Sequence, residues 1–234
     1  MKKIFILLLI ASFMVACKKT TQVTSPVLGK LGNGVTDIDG NTYKTTIIGT
    51  QEWMTENLKV SKYNDGKVIP NITDSSQWSD DTLGAWCYYN NDITNNPSYG
   101  KLYNWYVIST TTNSNKKNIC PTGWHVPTDN EWTVLTDYLG GESVAGDKLK
   151  AASTLGWSNL INKDATNTSL FTAVPGGYRL NNGFFMIGDN GNWWSSSIDS
   201  NRVWTRDLNA GFDVVFIRHH PPMQRGLSIR CVKN

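Results

Sequence analysis

Cys17 is the residue whose type and position most clearly imply chemistry. It follows a positively charged start, Lys2 and Lys3, and the apolar run from Ile4 to Val15. A bilayer-spanning helix needs roughly 20 apolar residues, so this shorter run is typical of a secretory signal. The run ends in Met14-Val15-Ala16-Cys17, which has the form of a lipoprotein cleavage site. We therefore expect cleavage before Cys17 and its lipidation with acyl chains such as palmitate.

This signal divides the chain and places the protein in a bacterial cell envelope. Residues 1–16 are expected to be a lipoprotein signal peptide, residues 17–34 a polar, flexible tether, and residues 35–234 one domain. An ordinary secretory signal cut elsewhere is the alternative. The tether begins with Lys18 and Lys19, without the acidic cluster that often accompanies surface export in Bacteroidetes-type bacteria. This favours a periplasm-facing anchor over display on the cell surface.

The composition argues against nucleic acid as a partner. Lys2 and Lys3 supply two charges of the formal net +3, so the mature chain is nearly neutral and lacks the excess of cations that nucleic acid requires. Ten Trp and nine Tyr suit a loop-rich, aromatic-cored extracytoplasmic domain better than a helical bundle. The expected partners are the membrane, through the N-terminal lipid, and a glycan or an envelope protein.

The three histidines give little support to metal chemistry. His219 and His220 are adjacent, and neighbouring residues of a regular strand point to opposite faces, so both cannot ligate one ion. His125 is expected to hydrogen-bond the backbone near the start of a helix. We therefore expect neither a metal nor another cofactor.

The sequence also offers no recognisable catalytic group. Ser195-Ser196-Ser197 lacks the Gly-x-Ser-x-Gly turn that exposes a nucleophilic serine. Asp80 and Asp81 are neighbours in a polar loop, where solvation and turn capping are the expected roles, and nothing marks them as a glycosidase pair. No catalytic residue is predicted.

The elements predicted from the sequence are a β-hairpin, two helices and then strands. The hairpin begins at Val35, and a first helix is expected over Tyr99 to Ser109. The second helix has Thr128 as N-cap and Glu131 as the partner in a capping box, with Gly140-Gly141 as its end. A turn or two of helix is expected around Gly146 to Ala152. The strands predicted afterwards are Thr172 to Val174, Tyr178 to Leu180, Gly183 to Ile187, Trp193 to Ser197, Val203 to Leu208, Val214 to Arg218 and Leu227 to Val232. The order of these elements indicates an α+β class.

Several segments of the chain together resemble one family. The matching segments are Asp37 to Tyr43, Trp53-Met54, Glu56 to Leu58, Tyr99 to Trp105, Cys120 to Thr128, Leu149-Lys150, Phe171 to Arg179, Trp193 to Ser197 and Ser228 to Lys233. In this order they resemble the major paralogous domain family first described from Fibrobacter succinogenes, which occurs in secreted proteins and lipoproteins. The resemblance covers about residue 35 to the C-terminus and implies no general biochemical activity.

A weaker similarity links Gly123 to Trp132 with formylglycine-generating enzymes and the wider C-type lectin-like fold. It implies two helices flanking a small antiparallel sheet, with long loops that carry the ligand site. The formylglycine-generating reaction uses a pair of late cysteines, and only Cys231 lies there, so that activity is not expected. Calcium-dependent sugar binding is not expected either, because Trp194-Ser195-Ser196 stands where such lectins carry Trp-Asn-Asp.

Three cysteines remain after Cys17, so one must be unpaired in an oxidising compartment. Cys120 begins the strand that leads to the second helix, and Cys231 lies in the terminal strand. Alternation places Cys231 on the core-facing side of that strand. This favours a Cys120 to Cys231 disulfide with Cys87 as a buried thiol. The alternative pairs Cys87 with Cys120 and leaves Cys231 free.

Aromatic side chains are the remaining candidates for ligand binding. Trp193, Trp194 and Tyr178 are the predicted contacts, because sugar rings stack on aromatic faces, although most Trp side chains in such a domain fill the core. One of the adjacent pair Trp193-Trp194 is expected to face inward and the other outward or under a loop. The leading hypothesis is a non-catalytic binding or adhesion domain for a glycan or a protein. An unrecognised envelope enzyme and a structural envelope component are the alternatives.

Overall fold

A computed structural model describes residues 28–108, 118–152, 156–158, 165–210 and 217–234. The expected signal peptide, Cys17 and most of the expected tether lie outside the described residues, as do Ser109 and the first part of the strand predicted from Val214. None of the helices in the described ranges is long and apolar enough to cross a membrane.

The described chain combines short helices with several small antiparallel sheets. The α-helices are α1 (Ser75–Asp80), α2 (Asn96–Tyr99), α3 (Asp129–Tyr138) and α4 (Glu142–Leu149), and short 3-10 helices cover Tyr89–Asn91, Ile93–Asn95 and Trp105–Val107. The strands are β1 (Gly29–Leu31), β2 (Val35–Thr36), β3 (Thr42–Tyr43), β4 (Thr45–Ile48), β5 (Gln51–Met54), β6 (Trp86–Cys87), β7 (Leu102–Tyr103), β8 (Trp124–His125), β9 (Gly176–Leu180), β10 (Gly183–Ile187), β11 (Asn190–Asp199), β12 (Arg202–Asn209), β13 (Ile217–His219) and β14 (Val232–Lys233).

The largest sheet has five antiparallel strands in the order β1-β4-β5-β14-β8. The hairpin β4–β5 turns at Gly49 and Thr50. Strand β1 lies within the range assigned to the tether, so the sheet begins earlier than residue 35. The reason is its tertiary contacts: Gly29 pairs with Ile48, and its N–H also donates to the carbonyl of Thr168.

Helix α3 confirms the predicted capping box. The Thr128 hydroxyl accepts from the Glu131 N–H at 3.2 Å, and the Glu131 carboxylate accepts from the Thr128 N–H at 2.7 Å. Trp132 and Leu135 are buried, whereas Tyr138 is 52% exposed. The local sequence signal was sufficient here because both capping partners belong to the same turn.

The helix predicted over Tyr99 to Ser109 is wrong. This part of the chain instead forms strand β7, which pairs with β6, and the 3-10 helix Trp105–Val107. Leu102, Tyr103, Trp105 and Val107 are all buried, so the segment has no polar helical face and is enclosed on several sides. The turn or two of helix expected around Gly146 to Ala152 corresponds to α4, which begins earlier, at Glu142, and ends at Leu149.

The strand predictions are confirmed for most of the second half. Strands β9, β10, β11 and β12 contain the predicted segments, with β9 paired to β10 and β11 paired to β12 and then β13. Thr172 to Val174 is not a strand and makes only an isolated bridge between Ala173 and Lys150. The terminal strand is shorter than predicted, because only Val232–Lys233 belongs to a sheet.

Two apolar cores lie on opposite sides of β11 and of residues 227–232. The first core contains Trp194, Leu227, Ile229 and Cys231, whereas the second contains Trp193 and the residues packed under α3 and α4. Strand β11 runs beside the terminal segment, since the Trp194 N–H donates to the Ser228 carbonyl at 3.1 Å. These two chain segments are therefore the central layer of the domain.

The predicted disulfide is present. Cys120 and Cys231 are bonded, with their Cα atoms 6.0 Å apart, and Cys87 is a buried free thiol. Burial raises the pKa of the Cys87 thiol to about 11, so this thiol stays protonated near neutral pH. The disulfide fastens the terminal segment to the chain that leads into α3.

Candidate functional site

Trp193 and Trp194 are both fully buried, so neither offers a ring face to a ligand. They point to opposite sides of β11, as alternation requires, but each side is covered by a core. The Trp193 indole N–H donates to Asn57 Oδ1 at 2.8 Å, and that of Trp194 donates to the Tyr103 carbonyl at 2.7 Å. Of the two alternatives predicted for the second ring, outward or under a loop, the outward orientation is therefore wrong.

The third predicted aromatic, Tyr178, is half-buried. Its ring stacks on Phe185 with centroids 5.9 Å apart, and the Arg225 guanidinium lies 5.0 Å from its centroid. Both ring contacts are intramolecular. Of the ten Trp side chains, only Trp204 is half-exposed, and it contacts Arg218, whose guanidinium lies 3.8 Å from its ring centroid.

An open cleft of about 460 Å³ lies where the chain leaves strand β5 of the five-stranded sheet. It is lined by residues 55–57 and 59, by residues 97–100, and by Gly156, Thr172 and Val174. The first wall follows the end of strand β5, and the second is helix α2 with the residue after it. The cleft is therefore assembled from segments that are distant in the sequence.

Glycine at position 100 allows the first two walls to meet. Gly100 has φ 72°, and a Cβ atom there would lie 2.8 Å from the Leu58 carbonyl oxygen. Both the left-handed backbone and the close contact exclude a larger side chain. The Asn57 side-chain amide joins the same walls by donating to the Tyr99 carbonyl at 2.9 Å.

The third wall contains Thr172, a β-branched residue with φ 57°. A left-handed conformation at such a residue costs on the order of 1–3 kcal/mol and needs support from its surroundings. Asn167 supplies part of it, because its Oδ1 accepts from the Thr172 N–H at 2.8 Å and its amide donates to the Thr172 hydroxyl at 3.1 Å. Strained backbone of this kind clusters at binding and catalytic sites.

The fully buried guanidinium of Arg230 holds this wall from below. It donates to the carbonyls of Phe171 and Thr172, and to Asn57 Oδ1 at 3.0 Å. Its centre lies 4.2 Å from the centroid of the Phe171 ring. Burial lowers the pKa of Arg230 to about 9, while the charge of Glu56 acts in the opposite direction, so the guanidinium is charged at neutral pH.

Arg230 has no carboxylate partner among the ion pairs of the described residues. Arg206, which is equally buried, is paired with Asp129. Removing a charge from water is expensive unless it is paired or well hydrogen-bonded. At Arg230 the hydrogen bonds come from carbonyl and amide oxygens, and among the described carboxylates the charge of Glu56 acts on the guanidinium without contacting it.

Asn57 connects the floor of the cleft to both neighbouring segments. Its Oδ1 accepts from Trp193 and Arg230, and its amide donates to the Tyr99 carbonyl and to the Ser228 hydroxyl, the latter at 3.1 Å. Two donors and two acceptor positions are thus all used, which fixes the orientation of the amide. Neither Asn57 nor Arg230 was predicted as a site residue, although both lie in segments that carry the family resemblance.

At the rim, Glu56 and Lys59 form an ion pair, with Oε2 and Nζ 2.7 Å apart. The half-buried Tyr99 contributes an aromatic ring, and Val174 an apolar surface. Thr55 adds a hydroxyl. The described residues of the lining therefore combine apolar and polar groups, with one carboxylate and one ammonium.

His125 differs from its predicted role. Its Nε2 lies 2.7 Å from Glu131 Oε1 and its Nδ1 lies 2.7 Å from Asn234 Oδ1, so its partners are side chains rather than backbone. The hydrogen bond with Glu131 raises the pKa of His125, although burial opposes this. The other Glu131 oxygen accepts from the Thr128 N–H, so this histidine–carboxylate pair is part of the α3 cap and not of the cleft.

The other predicted polar positions have structural partners. Asp81 accepts from the Gly84 N–H at 2.9 Å and from the Asn104 amide at 2.7 Å, which confirms its turn-capping role. Ser195 is buried and its hydroxyl accepts from the Ser197 N–H at 3.2 Å. The described ranges contain no cluster of three or more His, Cys, Asp and Glu residues that could hold a metal ion.

The model of the Fibrobacter succinogenes major domain matches residues 47–233. The chain belongs to this family. The major domain match contains all three walls of the cleft and both residues of its floor, Asn57 and Arg230. Comparison with curated proteins and with solved structures produced no match.

Proposed function

We propose that this major domain protein is an envelope lipoprotein whose domain binds a glycan in the cleft without transforming it. Cys17 carries the lipid that attaches it to the membrane, with the domain facing the periplasm, and the arrangement of helices, small sheets and long loops is of the C-type lectin-like kind. The observation that carries the proposal is the mixed lining of the cleft above the Asn57–Arg230 floor.

The size and chemistry of the cleft suit a saccharide. Its volume of about 460 Å³ falls within the roughly 300–1,000 Å³ typical of small-molecule sites. A pyranose presents one apolar face and several hydroxyls. The Tyr99 ring and Val174 match the apolar face, while Thr55, Glu56 and Lys59 offer polar partners.

The arrangement of carboxylates favours binding over hydrolysis. Glycosidases generally use two carboxyl groups that flank the scissile bond. Glu56 is the one carboxylate among the described residues of the lining, and Lys59 already pairs with it. The histidine–carboxylate pair His125–Glu131 belongs to the helix cap, so it does not supply a general base to the cleft.

A glycan array tests this function directly. The full chain with Cys17→Ser, which is not lipidated, is applied to the array and then incubated with every bound glycan for product analysis. We expect binding without new products. Tyr99→Ala is expected to weaken binding about tenfold, because one aromatic contact is worth about 1–1.5 kcal/mol.

Tyr138→Ala is the matched control, since Tyr138 is exposed on α3 and is not part of the cleft. Equal loss of binding in both variants would contradict the assignment of the cleft. Release of products would favour the envelope enzyme. A complete lack of binding to glycans and to envelope extracts would favour a structural component.

The anchor is tested separately in cells. Cys17→Ser should release the protein from the membrane fraction or block its processing, whereas the wild type should remain with membranes. An unchanged mature mass and unchanged membrane partition in the variant would contradict lipidation. Protease treatment of intact cells should leave a periplasm-facing domain uncut and would degrade one displayed on the surface.

A further inference from the structure

We propose that the cleft selects an acidic saccharide, one whose ring carries a carboxylate, over the corresponding neutral sugar. This inference rests on the proposed function and identifies the class of its ligand. It is carried by the charge balance of the cleft: a paired Glu56 and Lys59 at the rim, and beneath the floor the guanidinium of Arg230, which no described carboxylate contacts.

The rim contributes no net charge. Glu56 and Lys59 lie 2.7 Å apart and neutralise each other. Lys101 donates to the Lys59 carbonyl from behind, but it is buried, and Asp37 and Asp39 act on its charge from the other side. Among its described residues, the lining therefore supplies no anion to Arg230 beyond the one already paired with Lys59.

The floor contributes a positive charge that forms no ion pair within the described part of the chain. Arg230 is fully buried and is held by the oxygens of Phe171, Thr172 and Asn57, and its Nε has no hydrogen-bond partner. Thr172 and Asn57 are at once its acceptors and part of the cleft lining. The charge thus lies one side chain below the surface that a ligand would contact.

This placement favours a ligand carboxylate. Interactions between charges are stronger where the protein excludes water, and a buried charge is screened by salt much less than an exposed one. A carboxylate in the cleft would receive the Lys59 ammonium as a direct partner and the field of Arg230 from below. Glu56 would then be the group that a ligand anion displaces from Lys59.

Calorimetry with matched acidic and neutral probes tests the inference. The full Cys17→Ser chain is titrated with trigalacturonate and with its fully methyl-esterified form, which keeps the rings and hydroxyls and removes the charge. A glucuronate disaccharide and its methyl ester form a second pair. We expect the acid to bind at least about tenfold more tightly than the ester, and the ratio to persist as sodium chloride is raised from 0.15 to 0.5 M, because Arg230 is buried.

Charge variants at the rim should change the ratio of acid to ester affinity in opposite directions. Glu56→Gln removes the competing carboxylate and should increase the ratio of acid to ester affinity several-fold, whereas Lys59→Gln should decrease it. Lys30→Gln is the control, because Lys30 is exposed on β1 and lies outside the cleft. These variants leave the buried network intact, so misfolding of an Arg230 variant cannot confuse the result.

The outcomes separate this inference from the function on which it rests. Equal affinity for acid and ester, or a preference for the ester, would overturn the acidic ligand and leave glycan binding in place. Binding of neutral array glycans with no binding of either acidic probe would do the same. No binding to any glycan would overturn both.

Discussion

The terminal segment, residues 227–232, has one apolar face and one polar face. Leu227, Ile229 and Cys231 point to the first core, where apolar burial and the disulfide hold them. Ser228 and Arg230 point the other way, into hydrogen bonds with Asn57 and the carbonyls below the cleft. The cleft lies on the side of the polar face, because Asn57, which accepts from Arg230 and donates to Ser228, is part of its lining.

The difference shows how one stretch of chain serves both stability and binding. On the apolar face, contacts are many and individually weak, and a covalent bond adds to them. On the polar face, each donor satisfies a particular acceptor, so loss of one group leaves others unsatisfied in a dry environment. The polar face therefore depends on a few residues, and these residues also support the strained wall at Thr172.

The largest expected effect comes from the apolar face. The double variant Cys120→Ala, Cys231→Ala should lower the free energy of unfolding by about 4–5 kcal/mol, because the bond closes a loop with a sequence separation of 111 residues. Denaturant unfolding measures it. Cys87→Ala is the control and should cost only about 1 kcal/mol, and a similar loss in both proteins would show that the disulfide has no special role.

The next effect probes the polar face. Arg230→Met should lower the free energy of unfolding by about 3 kcal/mol, since the buried oxygens of Phe171 and Thr172 lose their donor and each unsatisfied group costs roughly 1–3 kcal/mol. The matched control is Arg202→Met, whose side chain is 61% exposed in its pair with Asp199 and should matter by less than about 1 kcal/mol. Equal effects would break the distinction between the two faces.

Adjacent tryptophans sharpen the comparison within one strand. Trp193→Phe and Trp194→Phe each remove one buried indole donor and should each cost about 1–2 kcal/mol in denaturant unfolding. Only Trp193→Phe changes a partner of Asn57, so only this variant should weaken ligand binding measured by calorimetry. If only Trp194→Phe weakened binding, the binding site would lie on the side of β11 that faces the first core, and the assignment of the cleft would be contradicted.

The smallest effect concerns pH and lies away from both faces, at the α3 cap. The raised pKa of His125 means that its contribution is present below the ordinary value of 6.5 and is lost as pH rises through the raised value. Interactions with His125 and Thr128, which outweigh burial, lower the pKa of Glu131, so its contribution is present above 4.5 and is lost as pH falls through the lowered value.

Both contributions are therefore present together between about pH 4.5 and 6.5. Their sum should stay below about 1 kcal/mol because the side chains are partly exposed. Thermal unfolding of the wild type and His125→Gln across pH 4 to 9 measures this difference. The stability gap should shrink above neutral pH, and a gap that widens there would contradict the assigned direction.

The sequence alone predicted the features that depend on neighbouring residues or on strand alternation. The Thr128–Glu131 cap is local, and the disulfide followed from the odd number of cysteines and the inward side of Cys231. The family was also identified from its segments, in agreement with the match to residues 47–233. The helix predicted over Tyr99 to Ser109 is wrong because the segment is buried on several sides. Its apolar residues therefore recur at spacings that also fit one face of a helix.

The residues of the cleft floor could not be predicted from local sequence patterns. An arginine is ordinarily exposed, and nothing near Arg230 in the sequence indicates that it is buried against Asn57, 173 positions away. Strand alternation correctly predicts that Trp193 and Trp194 point in opposite directions. It does not predict that a second core covers the ring on the other side. Both errors arise from tertiary contacts that no local pattern contains.

Strand β1 has a consequence for how far the domain can travel. Gly29 already belongs to the sheet. With a lipid at Cys17, as proposed, only residues 18–28 would link the membrane anchor to the domain. Eleven residues extend at most about 3.6 Å each, which keeps β1 within roughly 40 Å of the bilayer surface. A domain of this length has a radius of gyration of about 17 Å. With this proposed anchor, the cleft would reach only a thin layer beside the membrane, and the polymers it would meet are those whose ends or loops enter that layer.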